Sequence, residues 1–334
     1  MIFSSYSLGV YTLDNRIVMT SPCRMRSRQG IPTPMMTTYY AQRATAGLVV
    51  SEPTLVSPTT AEYNTCPGIY SYEQIEAWRN VTKAVRDRGG KIFLQLWHGE
   101  GVAPQILEQK YYDRVDSCYG DRVKLTEVIQ QLRKGAQNAL AADFDGVEIN
   151  AAFGYILDTL MPLTHFKDAE VARNERERRI ELLTDLVDAI ASVWDYERVG
   201  VKICPSNLFC GNGDSDPESS FYYLIDSLNV FQIAYLHLCE PPKGKSFLTI
   251  PCEKLTDLFR PIYKGTLIIE GNDDLERAIA IVNNADADLI SFGRTAIANP
   301  DLPSRLKRNA PLNKVDPQTI YGGDERGYTD YPCI

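Results

Sequence analysis

Short, almost uniformly apolar runs alternate along this chain with longer stretches in which apolar residues recur every three or four positions. The runs over 16–19, 48–51, 92–96, 146–150, 199–204, 234–238, 266–269 and 289–292 are dominated by Val, Ile and Leu. Near-continuous apolar runs of this length predict parallel strands buried on both faces. Between and after them, amphipathic patterns predict helices over 36–46, 72–87, 125–143, 174–193, 217–227, 253–259, 274–284 and 301–309. In the clearest, 174–193, residues Ile180, Leu182, Leu183, Leu186, Val187 and Ile190 gather on one face. Eight strand–helix pairs in strict alternation predict an α/β fold, the (β/α)8 or TIM barrel. The segment 7–13 predicts a short N-terminal hairpin, ending at Asp14-Asn15, that closes the barrel bottom. No linker, composition break or internal repeat divides the chain, so residues 1–334 are expected to form one domain. An open doubly wound sheet would require a G-x-G-x-x-G turn after the first strand, and there is none.

Composition narrows the function. Thirty-five basic and 43 acidic side chains give a net charge of −8, with no basic stripe for a phosphate backbone. No apolar run approaches the roughly 18 residues that would span a bilayer. The N-terminus lacks the basic-then-apolar layout of a signal peptide. The expectation is a cytoplasmic enzyme with a small-molecule substrate and no nucleic-acid or membrane partner, as a monomer or homo-oligomer. Eight cysteines form no C-x-x-C pair and only three histidines accompany them, so no metal is expected and the thiols read as reduced.

Barrel enzymes carry their chemistry at the C-terminal ends of the strands and in the loops that follow. The candidates are therefore 21–26, Glu52-Pro53, 95–98, 150–155, 202–205, 237–242, Gly271-Asn272 and Gly293-Arg294. The last two pairs suit a phosphate site, because glycines let backbone N–H groups approach and Arg294 can fork onto an anion. Gln95 and Lys202 are polar groups on apolar strands, where a hydrogen-bonding ligand explains them better than packing does. Lys202 also suits a Schiff-base lysine, the main mechanistic competitor at this point.

Eight stretches in order along the chain carry a resemblance. They are Asn15-Arg16-Ile17-Val18-Met19, Tyr39-Tyr40-Ala41-Gln42-Arg43-Ala44, Pro67-Gly68-Ile69-Tyr70 and Phe93-Leu94-Gln95-Leu96-Trp97-His98. Then come Asp145-Gly146-Val147-Glu148-Ile149, Phe292-Gly293-Arg294, Ala298-Asn299-Pro300-Asp301-Leu302 and Gly327-Tyr328-Thr329-Asp330-Tyr331-Pro332. Together they resemble the old yellow enzyme family of FMN-dependent ene-reductases. The resemblance implies an FMN across the barrel mouth, reduced by NADPH or NADH. Gln95 would meet its pyrimidine edge, Lys202 its N1–C2 carbonyl region, and Gly271, Asn272, Gly293 and Arg294 its phosphate. Ser21, Pro22, Cys23 and Pro53 would line the flavin, with Cys23 near the carbonyl beside N5, and Tyr328 would cover the ring from the side. Asn150 would orient a substrate carbonyl, Tyr155 would protonate the α-carbon, and Trp97 and Phe153 would join them around the substrate.

Several positions depart from the family pattern. Lys202 replaces an arginine, keeping the charge but losing the fork. Phe153 replaces a polar side chain that would share the carbonyl clamp with Asn150; losing one such donor typically costs about 10²–10³ in rate. Pro53 replaces a residue whose N–H faces the flavin. The segments 99–124 and 161–174 are short where the family has longer loops. The sequence thus describes a retained cofactor half and a rebuilt substrate half. It leaves open reduction of a larger unsaturated metabolite, a redox-neutral isomerase or cyclase, and a catalytically silent flavin-binding protein.

Overall fold

The computed structural model describes residues 1–58, 64–98, 122–152, 169–205, 217–239, 255–271 and 274–334. The N-terminal hairpin is present as β1 (Tyr6–Leu8) and β2 (Tyr11–Leu13), antiparallel, with Leu8 opposite Tyr11. Eight parallel strands then close into the expected barrel: β3 (Ile17–Met19), β4 (Leu48–Val50), β6 (Ile92–Trp97), β7 (Gly146–Ala151), β8 (Val199–Ile203), β9 (Tyr235–Leu238), β10 (Leu267–Glu270) and β11 (Leu289–Phe292). Closure is made where β11 meets β3, Ile290 opposite Ile17, and where β4 meets β6, Val50 opposite Phe93.

The second barrel strand is broken. After β4 the chain leaves the ladder at Ser51-Glu52-Pro53 and rejoins β6 as β5 (Thr54–Leu55), opposite Leu96 and Trp97. Pro53 has no N–H to give a ladder, so the interruption falls where the sequence can tolerate it. A two-residue strand leaves no periodic signal, and it was not among the expected elements.

Helices cover the barrel within a few residues of their predicted bounds: α1 (Pro34–Gln42), α2 (Tyr72–Arg86), α3 (Arg122–Ala141), α4 (Ala169–Trp194), α5 (Pro217–Leu228), α6 (Leu255–Phe259) and α7 (Leu275–Asn283). Helix α1 starts at Thr33, whose hydroxyl accepts from the Met36 N–H, with Pro34 in the first turn. Helix α2 starts with a Ser71–Gln74 capping box. Two short helices, α8 (Arg294–Ala298) and α9 (Leu302–Lys307), complete the order, and α8 was not predicted.

Strand periodicity sorts the barrel interior into tiers. The bottom tier is apolar: Leu8 and Leu13 of the hairpin pack with Val18, Leu48, Val50, Phe93, Tyr235, Ile268 and Leu289. Two positions further along the same rows come Thr20, Glu52, Gln95, His237, Glu270 and Ser291. On β7 and β8 the bottom positions are Gly146 and Gly200, and the residues above them are Glu148 and Lys202. These glycines make room for aromatic rings: a Cβ on Gly200 would sit 2.3 Å from Cζ of Tyr235, and one on Gly146 2.5 Å from Cζ of Phe93. The opposite strand faces, including Leu94, Ile149, Val201, Leu236 and Ile290, pack against Trp78, Leu132, Val187, Ile190 and Val282 of the helices.

Candidate active site

The polar tier holds a hydrogen-bonded network centred on Gln95 and Glu148, with a Lys202–Thr20 pair beside it. Gln95 Nε2 donates to Ser21 Oγ at 2.5 Å and to Glu148 Oε1 at 2.6 Å. Its Oε1 accepts from Asn150 Nδ2 at 3.2 Å, and Asn150 Oδ1 accepts from the Ala152 N–H. The other Glu148 oxygen lies 2.9 Å from His237 Nδ1, and His237 Nε2 lies 2.8 Å from Ser291 Oγ. Lys202 Nζ donates to Thr20 Oγ1 at 2.9 Å. Gln95, Glu148, Asn150, Lys202, His237 and Ser291 are all buried.

Their protonation follows from mutual compensation. Burial would raise the Glu148 pKa, but His237, Lys202 and the Gln95 amide outweigh it and hold the carboxylate below its ordinary range. Burial and the Lys202 charge push His237 below an ordinary imidazole, against the pull of Glu148. Neutral His237 then donates from Nδ1 to Glu148 and accepts at Nε2. Burial opposes a charge on Lys202, yet Cys239, Glu270 and Glu148 raise its pKa above the ordinary lysine value. An amine whose charged form is stabilised in this way is a poor nucleophile, which weighs against the Schiff-base alternative.

At the mouth, Ser21, Pro22 and Cys23 follow β3, and Cys23 Sγ lies 3.6 Å from Cys66 Sγ. Cys23, Met25 and Tyr70 pack on a small cluster of Leu55, Cys66 and Trp97. Beside Pro53, the Glu52 carboxylate accepts from the N–H groups of Arg24 at 3.0 Å and Met25 at 3.3 Å, and from the Tyr40 hydroxyl at 3.3 Å. Burial raises the Glu52 pKa in spite of these bonds.

Gly271 and Gly293 end β10 and β11, which pair side by side up to Glu270 and Ser291. A Cβ on Gly271 would sit 2.8 Å from Cε1 of Phe292, so packing alone requires that glycine. A Cβ on Gly293 would meet Thr20 at 3.3 Å, and Arg294 begins α8 immediately after it. Tyr328 is stacked on Tyr39 with centroids 4.1 Å apart, and the Arg26 guanidinium lies 4.4 Å from its centroid. With its faces taken, Tyr328 can present only its edge and its buried hydroxyl, which has no hydrogen-bond partner among the described residues. Phe153, Tyr155 and Asn272 lie outside the described residues.

These groups fit a flavin. Both Gln95 amide hydrogens are committed, so its oxygen is fixed as an acceptor with a lone pair beyond Asn150, suited to an imide N–H. The Lys202 charge suits the N1–C2 carbonyl region, where reduced flavin accumulates negative charge. Glu148 and Ser291 lie outside the strand-end segments that the sequence marks, whereas Glu52 and His237 lie within them but without an assigned partner. The signal that selected Gln95 and Lys202, a polar residue within an apolar strand, also marks Glu148, His237 and Ser291.

A barrel with this polar tier beneath its mouth defines a flavin-binding oxidoreductase. The model of the NADH:flavin oxidoreductase / NADH oxidase family matches residues 1–313, and the chain belongs to that family, the old yellow enzymes. It is similar to 12-oxophytodienoate reductase 1 of Oryza sativa subsp. japonica, 34% identical over 360 residues, covering 100% of this chain and 93% of the relative. A 12-oxophytodienoate reductase-like protein of Solanum lycopersicum is 35% identical over 348 residues, covering 98% and 95%. Among solved structures, morphinone reductase in complex with tetrahydroNAD superposes with a TM-score of 0.85 at 33% identity, over 100% of this chain and 97% of that one. The old yellow enzyme homologue from Zymomonas mobilis gives a TM-score of 0.86 at 34% identity, over 100% and 99%. The chain is thus an NAD(P)H-dependent, FMN-binding oxidoreductase of the group acting on C=C bonds. Among the described residues, no helix is long and apolar enough to cross a membrane, and no cluster of three or more metal-ligating side chains occurs.

Proposed function

We propose that residues 1–334 form one flavin-binding domain that reduces the activated C=C bond of a larger, biosynthetic α,β-unsaturated carbonyl compound in the cytoplasm. The observation that carries this reading is the buried Gln95–Asn150 pair, an acceptor and a carbonyl donor, with the Lys202 cation opposite Asn150 on the neighbouring strand. FMN, when bound, supplies the centre that takes hydride from NAD(P)H and returns it to carbon. Gln95 and Lys202 hold its ring, with Ser21, Pro22, Cys23, Pro53 and Tyr328 around it and Gly271, Asn272, Gly293 and Arg294 on its phosphate. Asn150 has two amide hydrogens, of which Gln95 takes one, and the second orients the substrate carbonyl. Tyr155 delivers the proton to the α-carbon, a task suited to a phenol because the developing enolate is strongly basic. Trp97 and Phe153 flank the substrate, and the apolar Phe153 favours a large, ring-bearing one. Relatives named as reductases of 12-oxophytodienoate and morphinone support a bulky substrate of this kind.

The test uses the FMN-loaded protein under anaerobic conditions. NADPH or NADH bleaches the flavin, and a bulky enone restores its colour faster than cyclohexenone does. Tyr155→Phe is expected to bleach normally while reoxidation by the enone slows by about 10²-fold or more. Colour restored equally fast in Tyr155→Phe refutes the proton-donor role. An enone isomerised without consumption of NAD(P)H replaces reduction with the redox-neutral reading.

A further inference from the structure

Two thiols that the ene-reductase chemistry does not require as a pair meet at the barrel mouth. Cys23 and Cys66 are 43 positions apart in sequence, and their sulfurs lie 3.6 Å apart. Backbone bonds hold both segments in place. The Arg24 N–H is tied to Glu52 at 3.0 Å, the Ser27 N–H to the Thr65 carbonyl at 3.2 Å, and the Leu55 N–H to the Pro67 carbonyl at 2.8 Å. Leu55, Trp97, Met25 and Tyr70 surround the pair with apolar surface. Cys23 is partly exposed, whereas Cys66 is buried.

We propose that Cys23 and Cys66 are a reversible disulfide site, oxidised by hydroperoxide. The more accessible Cys23 sulfur attacks the peroxide oxygen, giving a sulfenic acid and one water; the Cys66 sulfur then displaces a second water and closes the S–S bond. Two thiols and one hydrogen peroxide become one disulfide and two waters. A flavin oxidoreductase turning over without substrate passes electrons to oxygen, so peroxide is an oxidant this mouth encounters. Closing the gap to a bond of about 2.05 Å requires roughly 1.5 Å of approach.

The environment sets the character of the pair. The hydrogen bond to Cys66, burial and nearby Glu52 all keep the Cys23 thiol protonated. A thiol not stabilised as thiolate is slow to attack, but its reduced form gains nothing over the disulfide, which is then hard to reduce. The bond itself does not depend on the proposed substrate or on FMN. Only its consequence rests on that reading: oxidation removes the S–H that Cys23 would present to the flavin and ties the 21–27 loop to the 64–70 stretch.

The purified chain is exposed to hydrogen peroxide, quenched with iodoacetamide and digested without reductant. The expected result is one cross-linked peptide joining Cys23 to Cys66 and, in a sample taken before alkylation, an intact mass lower by two hydrogen atoms, both reversed by dithiothreitol. In Cys66→Ser and Cys66→Ala, Cys23 is expected to give a dimedone-trappable sulfenic acid and then gain further oxygen. The proposal is overturned if both cysteines of the unmodified chain remain fully alkylated. It is equally overturned if Cys23 there gains oxygen without cross-linking, or joins a different cysteine. Failure of the enone experiment leaves this one unaffected, because its readout is mass.

Discussion

His237 shows how much one buried side chain can govern. Held below the 6.5 of a free imidazole, it stays neutral in the folded protein while the unfolded chain takes up a proton. Between those two values the unfolded state binds more protons, so stability falls as pH drops below about 6.5. Glu148, with its lowered pKa, adds acid sensitivity only below the ordinary carboxylate range. Glu52, with its raised pKa, acts in the opposite sense, since protonating it favours the folded state. The measurement is therefore a difference: urea unfolding of the unmodified chain and of His237→Gln between about pH 7 and pH 5.5. The unmodified chain is expected to lose up to about 1.4 kcal/mol per pH unit more than the variant. Parallel slopes would place the acid sensitivity elsewhere.

At the scale of elements, the barrel depends on paired large and missing side chains. Gly200 on β8 is vacant because the Tyr235 ring of β9 occupies its space, with a Cβ there only 2.3 Å from Cζ. Gly200→Ala is expected to destabilise the barrel by about 2 kcal/mol through overpacking. Tyr235→Leu in the same chain is expected to recover part of that loss, so a double-mutant cycle by chemical denaturation shows coupling. The eight barrel strands were legible because burial on both faces gives an apolar run that no loop produces. The hairpin, too, was legible from its pattern. Strand β5 was not, since two residues carry no period, nor was the meeting of Cys23 with Cys66, which only the folded loops bring about. In the polar tier the sequence exposed Gln95, Asn150 and Lys202 but not their wiring. Whether Glu148 holds Gln95 or a helix partner depends on strand register, which composition does not encode.

The molecule as a whole is fastened at its mouth by buried arginines. Arg24 donates to the carbonyls of Ile320 and Gly327, Arg26 to those of Asp324 and Thr319, and Arg305 to that of Pro332. The C-terminal tail thus supplies oxygens to guanidinium groups that have left water behind. Arg24→Ala is expected to cost about 3 kcal/mol and to free the tail for proteolysis. Arg24→Lys should rescue little, because an ammonium cannot reproduce contacts made at both Nε and Nη2. Limited digestion followed by mass measurement of the C-terminal fragment checks both. An intact tail in Arg24→Ala would remove the fastening role.

The seam between β3 and β11 has a consequence during synthesis. The first barrel strand finds its second neighbour only in the last, Ile17 against Ile290 and Met19 against Phe292. A nascent chain emerging from the ribosome therefore carries β3 as an unpaired edge until nearly the whole barrel has been translated. Unpaired edges of this kind recruit other chains. A pause in translation before β11 therefore leaves an open sheet with β3 at its edge.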